Sequence, residues 1–246
     1  MSEFIMSAFD EDTDSWPLVD PEGRPVRFAS RDARPRPDEY APVLEGASIR
    51  LEPLSEEHLD GLCEIGLDSE VTRFMPIRIA GRGQMSNYVR DAISARESLA
   101  EIPFAIVLKA GPTSSRVAGS TRFLNISPNN RRMEIGSTWI GREWQRTRVN
   151  TEAKFLMLRH AFEALECIRV EFKTDSLNER SRRALLRIGA IQEGIFRNHV
   201  ITADGRVRHS VYFGITSEDW PSRKARLGSL LGIRDASGGS SEGKGS

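Results

Sequence analysis

Cysteine is nearly missing from this sequence: two residues in 246, Cys63 and Cys167, and neither stands in a CxxC or Cys/His spacing. That excludes a disulfide framework and a zinc finger, and both read as buried thiols in a reducing compartment. Histidine is scarce too, and His58, His160, His199 and His209 lack any metal-ligand spacing, so no metal is expected. Net charge is absent, with 35 basic and 35 acidic side chains, which leaves no global field to draw the chain onto nucleic acid or an anionic membrane. No stretch approaches the roughly 20 apolar residues of a membrane span, and the N-terminus turns acidic where a signal peptide needs an apolar run. A soluble cytoplasmic protein is the expectation.

The length suits one domain with tails. Residues 1–40 carry acids, then Arg and Pro, without a sustained period. They read as a partly disordered or wrapping extension, with Trp16 and Phe28 as its anchors. Residues 233–246 form a flexible Gly/Ser-rich tail, leaving 41–232 as the folded domain.

Inside the domain, 47–53 alternates like a half-buried strand, Ser55 caps a helix through Gly66, and a second helix fits 85–99. Strand-like runs at 104–108, 117–126 and 133–140 form an antiparallel meander. A helix over 151–166 sets Phe155, Leu158, Phe162 and Leu165 on one face and leaves Lys154, Arg159 and Glu163 more exposed. After it come a strand at 168–174 and a helix at 179–188 ending on Gly189. Two strands, 191–201 and 208–215, join through Ala203-Asp204-Gly205, and a last helix starts near Pro221. The order predicts a mixed α/β sheet with one central βαβ crossover.

Two segments carry candidate chemistry. Residues 134–152 (EIGSTWIGREWQRTRVNTE) run from a strand through a tight polar loop into a helix N-terminus, where unpaired N–H groups can cradle a pyrophosphate. Any strand–loop–helix supplies such donors, so an ordinary connector is the alternative. In 171–193 (EFKTDSLNERSRRALLRIGAIQE), Asn178 or Ser176 reads as a helix cap and Ser181 as an exposed hydroxyl.

Together these segments resemble the GNAT N-acetyltransferases, especially the branch containing ribosomal-protein N-terminal acetyltransferases. The likeness runs over about 43–220. It is strongest across EIGSTWI, NTEAKFLMLRHAFEAL, RVEFKTDSLNERSRRAL, RIGAIQEGIFRNH and VYFGITSEDWP. The resemblance implies a mostly antiparallel sheet splayed at a V-shaped cleft, with helices on both faces. Acetyl-CoA would lie in that cleft as co-substrate, and the loop Gln145, Arg146, Thr147, Arg148, Val149, Asn150, with Thr151, would bind its pyrophosphate. Arg148 stands where the family has Gly, and Asn150 where it has Gly or Ala. Either the Arg148 Cβ hinders the phosphate, or its guanidinium contacts it.

Asn178 and Ser181 match the family's N-x-x-S, implying that the Asn amide binds the pantetheine arm and that Ser181 lies near the sulfur. Leu185 occupies the position where many relatives have a Tyr acid, so Ser181 is the acid candidate, or the thiolate leaves unassisted. Backbone donors near Thr138, Trp139 and Ile140 would stabilise the oxyanion. Glu134 is the first candidate for the base and Asp175 the second, against the alternative of outward or salt-bridged carboxylates. His199 is a candidate for lining the acceptor pocket, and Trp139 and Trp144 for flanking the cofactor. Arg180, Arg182, Arg183 and Arg187 form a basic stripe that is either a solvated helix face or a contact for the 3′-phosphate. The implied activity is acetyl transfer to an amine of a small molecule or a protein N-terminus. The alternative is a non-catalytic acyl-CoA-binding module. The family allows a homodimer; nucleic-acid and membrane partners are not expected.

Overall fold

The computed structural model describes residues 40–75, 77–109 and 116–233. Residues 110–115, and the expected extension and Gly/Ser-rich tail apart from Tyr40 and Ile233, lie outside the described residues. Tyr40 is buried in the core.

Strands β1 (Leu44–Glu45) and β2 (Ile49–Pro53) lead through a 3-10 turn at Glu56–His58 into helix α1 (Leu59–Gly66). The single run expected after Ser55 is thus a 3-10 turn followed by an α-helix. A one-turn helix α2 (Ser69–Thr72), capped by Asp68, and helix α3 (Arg82–Glu97) complete the first layer. Strands β3 (Ile102–Leu108), β4 (Arg116–Ser127) and β5 (Arg132–Ile140) form the expected meander. Helix α4 (Val149–Arg159) then passes into a π turn at His160–Ala164 and crosses to β6 (Arg169–Asp175). Helix α5 (Glu179–Ile188) ends on Gly189, whose φ of 92° requires a residue that tolerates the left-handed region. The hairpin β7 (Ile191–Ile201) and β8 (Val207–Thr216) leads to α6 (Trp220–Leu231).

The sheet order is β1-β2-β3-β4-β5-β6-β8-β7, antiparallel throughout except for β5 with β6. The parallel pair is the predicted crossover β5–α4–β6. One face of the sheet packs α4 and α6, with Phe162 stacked on Trp220 at 5.3 Å and Leu185 and Ile188 of α5 joining the same core. The other packs α1 and α3 around Leu62, Met85, Tyr88, Val89 and Trp139. Gly66 is needed there, because a Cβ would lie 2.5 Å from the Met85 side chain and 2.8 Å from the Trp139 ring.

Two irregularities in β5 position the site. Opposite Thr121 of β4, β5 carries two residues, Ser137 and Thr138, with Ser137 at φ 47°. This bulge re-aims the end of the strand: Thr138 turns to the α4 face and Trp139 to the α1/α3 face. The second is that β5 and β6 pair only over Arg132–Glu134 and Arg169–Glu171. Beyond Glu134 the edge of β5 has no ladder partner on β6.

Candidate active site

The loop after β5 is tied down by its own residues. Gln145 Nε2 donates to the Ile140 carbonyl at 2.9 Å, and its Oε1 accepts from Arg180 of α5. Arg146 takes the left-handed conformation, with φ 63°. Arg148 is ordinary right-handed backbone, with φ −71° and ψ −16°, so its Cβ imposes no conformational strain. Its guanidinium is engaged within the protein, Nη2 donating to the Leu231 carbonyl at 2.7 Å and Nε lying 3.8 Å from Glu152. The first intrahelical bond of α4 runs from Glu152 N–H to the Arg148 carbonyl, leaving the Asn150 and Thr151 amides without an intrahelical partner. With the helix dipole behind them and exposed Arg146, Thr147 and Arg148 beside them, these amides suit a phosphate.

Other expected contacts are engaged within the protein. Thr151 is buried, and its hydroxyl accepts from Arg187 Nη2 at 2.6 Å, joining α4 to α5. Val149 is buried beneath the loop. The Trp139 side chain is core, its Nε1 donating to the Tyr88 hydroxyl at 3.2 Å, so only its backbone lies at the strand edge. Trp144 is half-buried under the Arg116 guanidinium, 5.5 Å from its ring centroid. Arg182 and Arg183 bond Ser176 O and Glu179 of their own segment.

Across the gap, Asn178 caps α5: its Oδ1 accepts from Ser181 N–H at 3.0 Å. Ser181 is half-buried, and Leu185 is core. Glu134 sits at the last position of β5 that pairs with β6, 2% exposed. Its Oε2 accepts from Asn125 Nδ2 at 2.7 Å and lies 3.5 Å from Lys173 Nζ. A side chain at Gly136 would come within 3.0 Å of Glu134 Oε1, so glycine there leaves the carboxylate its room. Asp175 is equally buried but committed: Oδ1 accepts from Leu177 N–H and Oδ2 is paired with Arg206.

From Glu134 the same face continues through Lys173, Tyr212 and Phe196, which pattern did not single out, to His199, the candidate for lining the acceptor pocket. Lys173 Nζ lies 6.0 Å from the Tyr212 ring centroid, and Phe196 packs on Tyr212 at 4.4 Å. Burial raises the Tyr212 phenol, helped by the negative Glu134 and Glu171. His199 Nε2 lies 3.5 Å from the Tyr212 hydroxyl, and its Nδ1 3.0 Å from Ser210 Oγ. Their signal in the sequence was the alternation of β6 and β8, which sets Lys173 and Tyr212 opposite each other on one face. On the α4 side the structure corrects the expectation for Lys154. It is buried, not exposed, and its Nζ donates to Thr138 Oγ1 at 2.6 Å.

A βαβ crossover whose strands part beside a helix N-terminus is the arrangement that the sequence motifs led us to expect, and comparison with known proteins agrees. Residues 48–191 match the model of the acetyltransferase (GNAT) domain. The chain belongs to the GNAT family of acetyltransferases. YdaF of Bacillus subtilis (strain 168), whose name provisionally assigns it as a ribosomal N-acetyltransferase, is 32% identical over 108 residues. That match covers 44% of the chain and 58% of YdaF, so it spans less than two thirds of that relative. A GCN5-related N-acetyltransferase from Brucella melitensis is 29% identical with a TM-score of 0.72, over 84% of this chain and 92% of that one. Mycobacterium smegmatis RimJ, solved in complex with CoA-disulfide, shares the GNAT fold with a TM-score of 0.65 at 20% identity, over 78% and 92% of the two chains. Among the described residues, no group of three His, Cys, Asp or Glu could hold a metal, and no helix is long and apolar enough to cross a membrane.

Proposed function

We propose that the protein moves an acetyl group from acetyl-CoA directly to a primary amine, on a small molecule or a protein N-terminus, in the cytoplasm. The name of the B. subtilis relative favours a ribosomal protein as the acceptor. The observation that carries this reading is the parting of β5 and β6 after Glu134 and Glu171. It opens a slot that leads from the free amides of α4 to a buried carboxylate.

When bound, acetyl-CoA supplies an activated thioester carbonyl. The residues around the slot have distinct tasks. The Asn150 and Thr151 amides hold the pyrophosphate, and the free edge of β5 at Thr138–Ile140 offers backbone donors for the negative charge developing on the carbonyl oxygen. Asn178 keeps its Nδ2 donors for the pantetheine arm, since only Oδ1 is used in capping. Glu134 is the base that accepts the amine proton, directly or through water: its contacts to Asn125 and Lys173 both fall on Oε2, whereas Asp175 has Oδ1 engaged by Leu177 N–H and Oδ2 by Arg206. Ser181 is the donor nearest to hand for the departing sulfur; with Leu185 in the core, the thiolate otherwise leaves unassisted. Positioning two substrates in one slot supplies much of the acceleration.

Calorimetric titration with acetyl-CoA, followed by an amine and N-terminal-peptide acetylation screen, tests the reading. Saturable binding, weakened in Asn178→Ala, with turnover of an amine is the expected result. Binding without turnover of any amine favours the acyl-CoA-binding module, for which the buried Leu185 speaks. No binding at millimolar acetyl-CoA overturns the proposal.

A further inference from the structure

Lys154 is a buried amine that the reaction above does not use. It projects from the second turn of α4 into the slot and reaches both strands that part there. Its Nζ donates to Thr138 of β5 at 2.6 Å and lies 6.0 Å from the centre of the Phe172 ring on β6. Thr138 Oγ1 is in turn 2.7 Å from Thr121 Oγ1, whose other contact is the Met157 sulfur at 3.5 Å. The surroundings are hydroxyls, a thioether and an aromatic ring.

The other described lysines are each paired with a carboxylate: Lys109 with Glu45, Lys173 with Glu134 and Lys224 with Glu163. Among the described residues, no carboxylate pairs with Lys154. The charged groups on the neighbouring elements turn elsewhere, Glu152 to Ser48, Arg148 to Leu231 and Glu134 to Asn125 and Lys173. Burial alone pushes the Lys154 ammonium down to about 7. Roughly half of these amines are therefore neutral at pH 7, against fewer than about one in a thousand for an ordinary lysine. A neutral amine can donate one N–H to Thr138 and still present a lone pair, which makes it a nucleophile.

We propose that Lys154 is itself an acetyl acceptor: with acetyl-CoA in the slot and no other amine present, the protein acetylates its own Lys154. This rests on the acetyl-CoA reading of the slot. The Nζ lone pair forms the bond to the acetyl carbon, and the carbon–sulfur bond breaks with its electron pair on sulfur. The proton shed by nitrogen ends on the thiolate, so the products are Nε-acetyl-Lys154 and CoA thiol. Acetylation removes the titratable amine and adds two carbons and an oxygen inside the slot, so the modified protein should no longer admit an acyl arm. The modification is therefore self-limiting and acts as an off-switch when acceptor runs out.

The full chain is incubated with acetyl-CoA without acceptor and followed by intact mass, with peptide mass spectrometry to locate the acetyl group and calorimetry to report binding. One acetyl group on Lys154 is expected, formed on the order of tenfold or more ahead of the carboxylate-paired Lys109, Lys173 and Lys224. The rate should rise with pH up to about 7 and then level, whereas ordinary lysines keep gaining. Lys154→Met should bind acetyl-CoA and take up no acetyl group at the rapid rate. Acetyl phosphate, a donor without the CoA arm, should show no preference for Lys154; an equal preference would mean that the slot does not direct the transfer and would overturn the inference. Binding of acetyl-CoA with Lys154 left unmodified, or modified no faster than the others, overturns it alone. Absence of binding overturns it together with the reading on which it rests.

Discussion

Asp175, at the last position of β6, pairs through Oδ2 with Arg206 and lies 4.0 Å from Arg208 Nε, so one carboxylate only 1% exposed fastens β6 to the β7–β8 hairpin. Burial pushes the Arg208 guanidinium down and Asp175 offsets part of that shift. Asp175→Asn leaves both guanidinium groups without their charge partner. Because the Arg206 side chain is about one-third exposed, the cost is discounted to about 2 kcal/mol. Urea unfolding should show a lower midpoint with an unchanged slope.

Glu134→Gln separates chemistry from binding. The amide keeps the volume and can still bond Asn125, but it cannot take a proton. Turnover of the identified amine should fall on the order of a hundredfold, the usual contribution of a positioned base, with acetyl-CoA affinity by calorimetry unchanged. An unchanged kcat would place the base elsewhere.

Arg148→Gly restores the family's residue in the loop but removes the tie to Leu231 at the end of α6. The backbone at 148 is already ordinary, so glycine brings no conformational relief. Affinity for acetyl-CoA should stay within about threefold, with thermal stability lowered by about 1 kcal/mol for the lost hydrogen bond.

Lys154→Met should stabilise the protein in a pH-dependent way. The folded-state value is depressed to about 7 from 10.5, so between these values the unfolded chain binds more protons than the folded one, and stability rises with pH. The cost of burying Lys154 is fully present below pH 7 and gone above about 10.5. The variant's advantage in chemical denaturation is therefore largest at and below neutrality, at most about 5 kcal/mol, and shrinks as pH is raised towards 10.

Local chemistry made much of the architecture legible. Gly189 stops α5, Ala203-Asp204-Gly205 turns the hairpin, and the alternation of 133–140 places a strand. Where pattern failed, a non-local cause was at work. Lys154 reads as surface because a charged residue beside an apolar stripe normally faces water; only the gap between β5 and β6 gives its amine a partner in Thr138. The bulge at Ser137 leaves no mark in composition, since what defines it is the count of residues facing Thr121 on another strand. Arg148 departs from the family pattern, and the sequence could not show that the left-handed position of the loop is Arg146 instead. Asn178 reads two ways because it has two chemistries on one amide, an oxygen that caps α5 and a nitrogen left over.

The extra residue in β5 makes the site a matter of arithmetic more than of spelling. Ser137 could be exchanged for many residues that accept a positive φ, such as Asn or Gly, with little disturbance beyond its own position. Deleting it would leave Thr138 alone opposite Thr121 and Trp139 still opposite Ser120, so the later side chains would keep their faces and the strand would lose the bend and extra twist of the bulge. A change of length here thus removes a bend that a change of letter would keep, beside the point where β5 leaves β6.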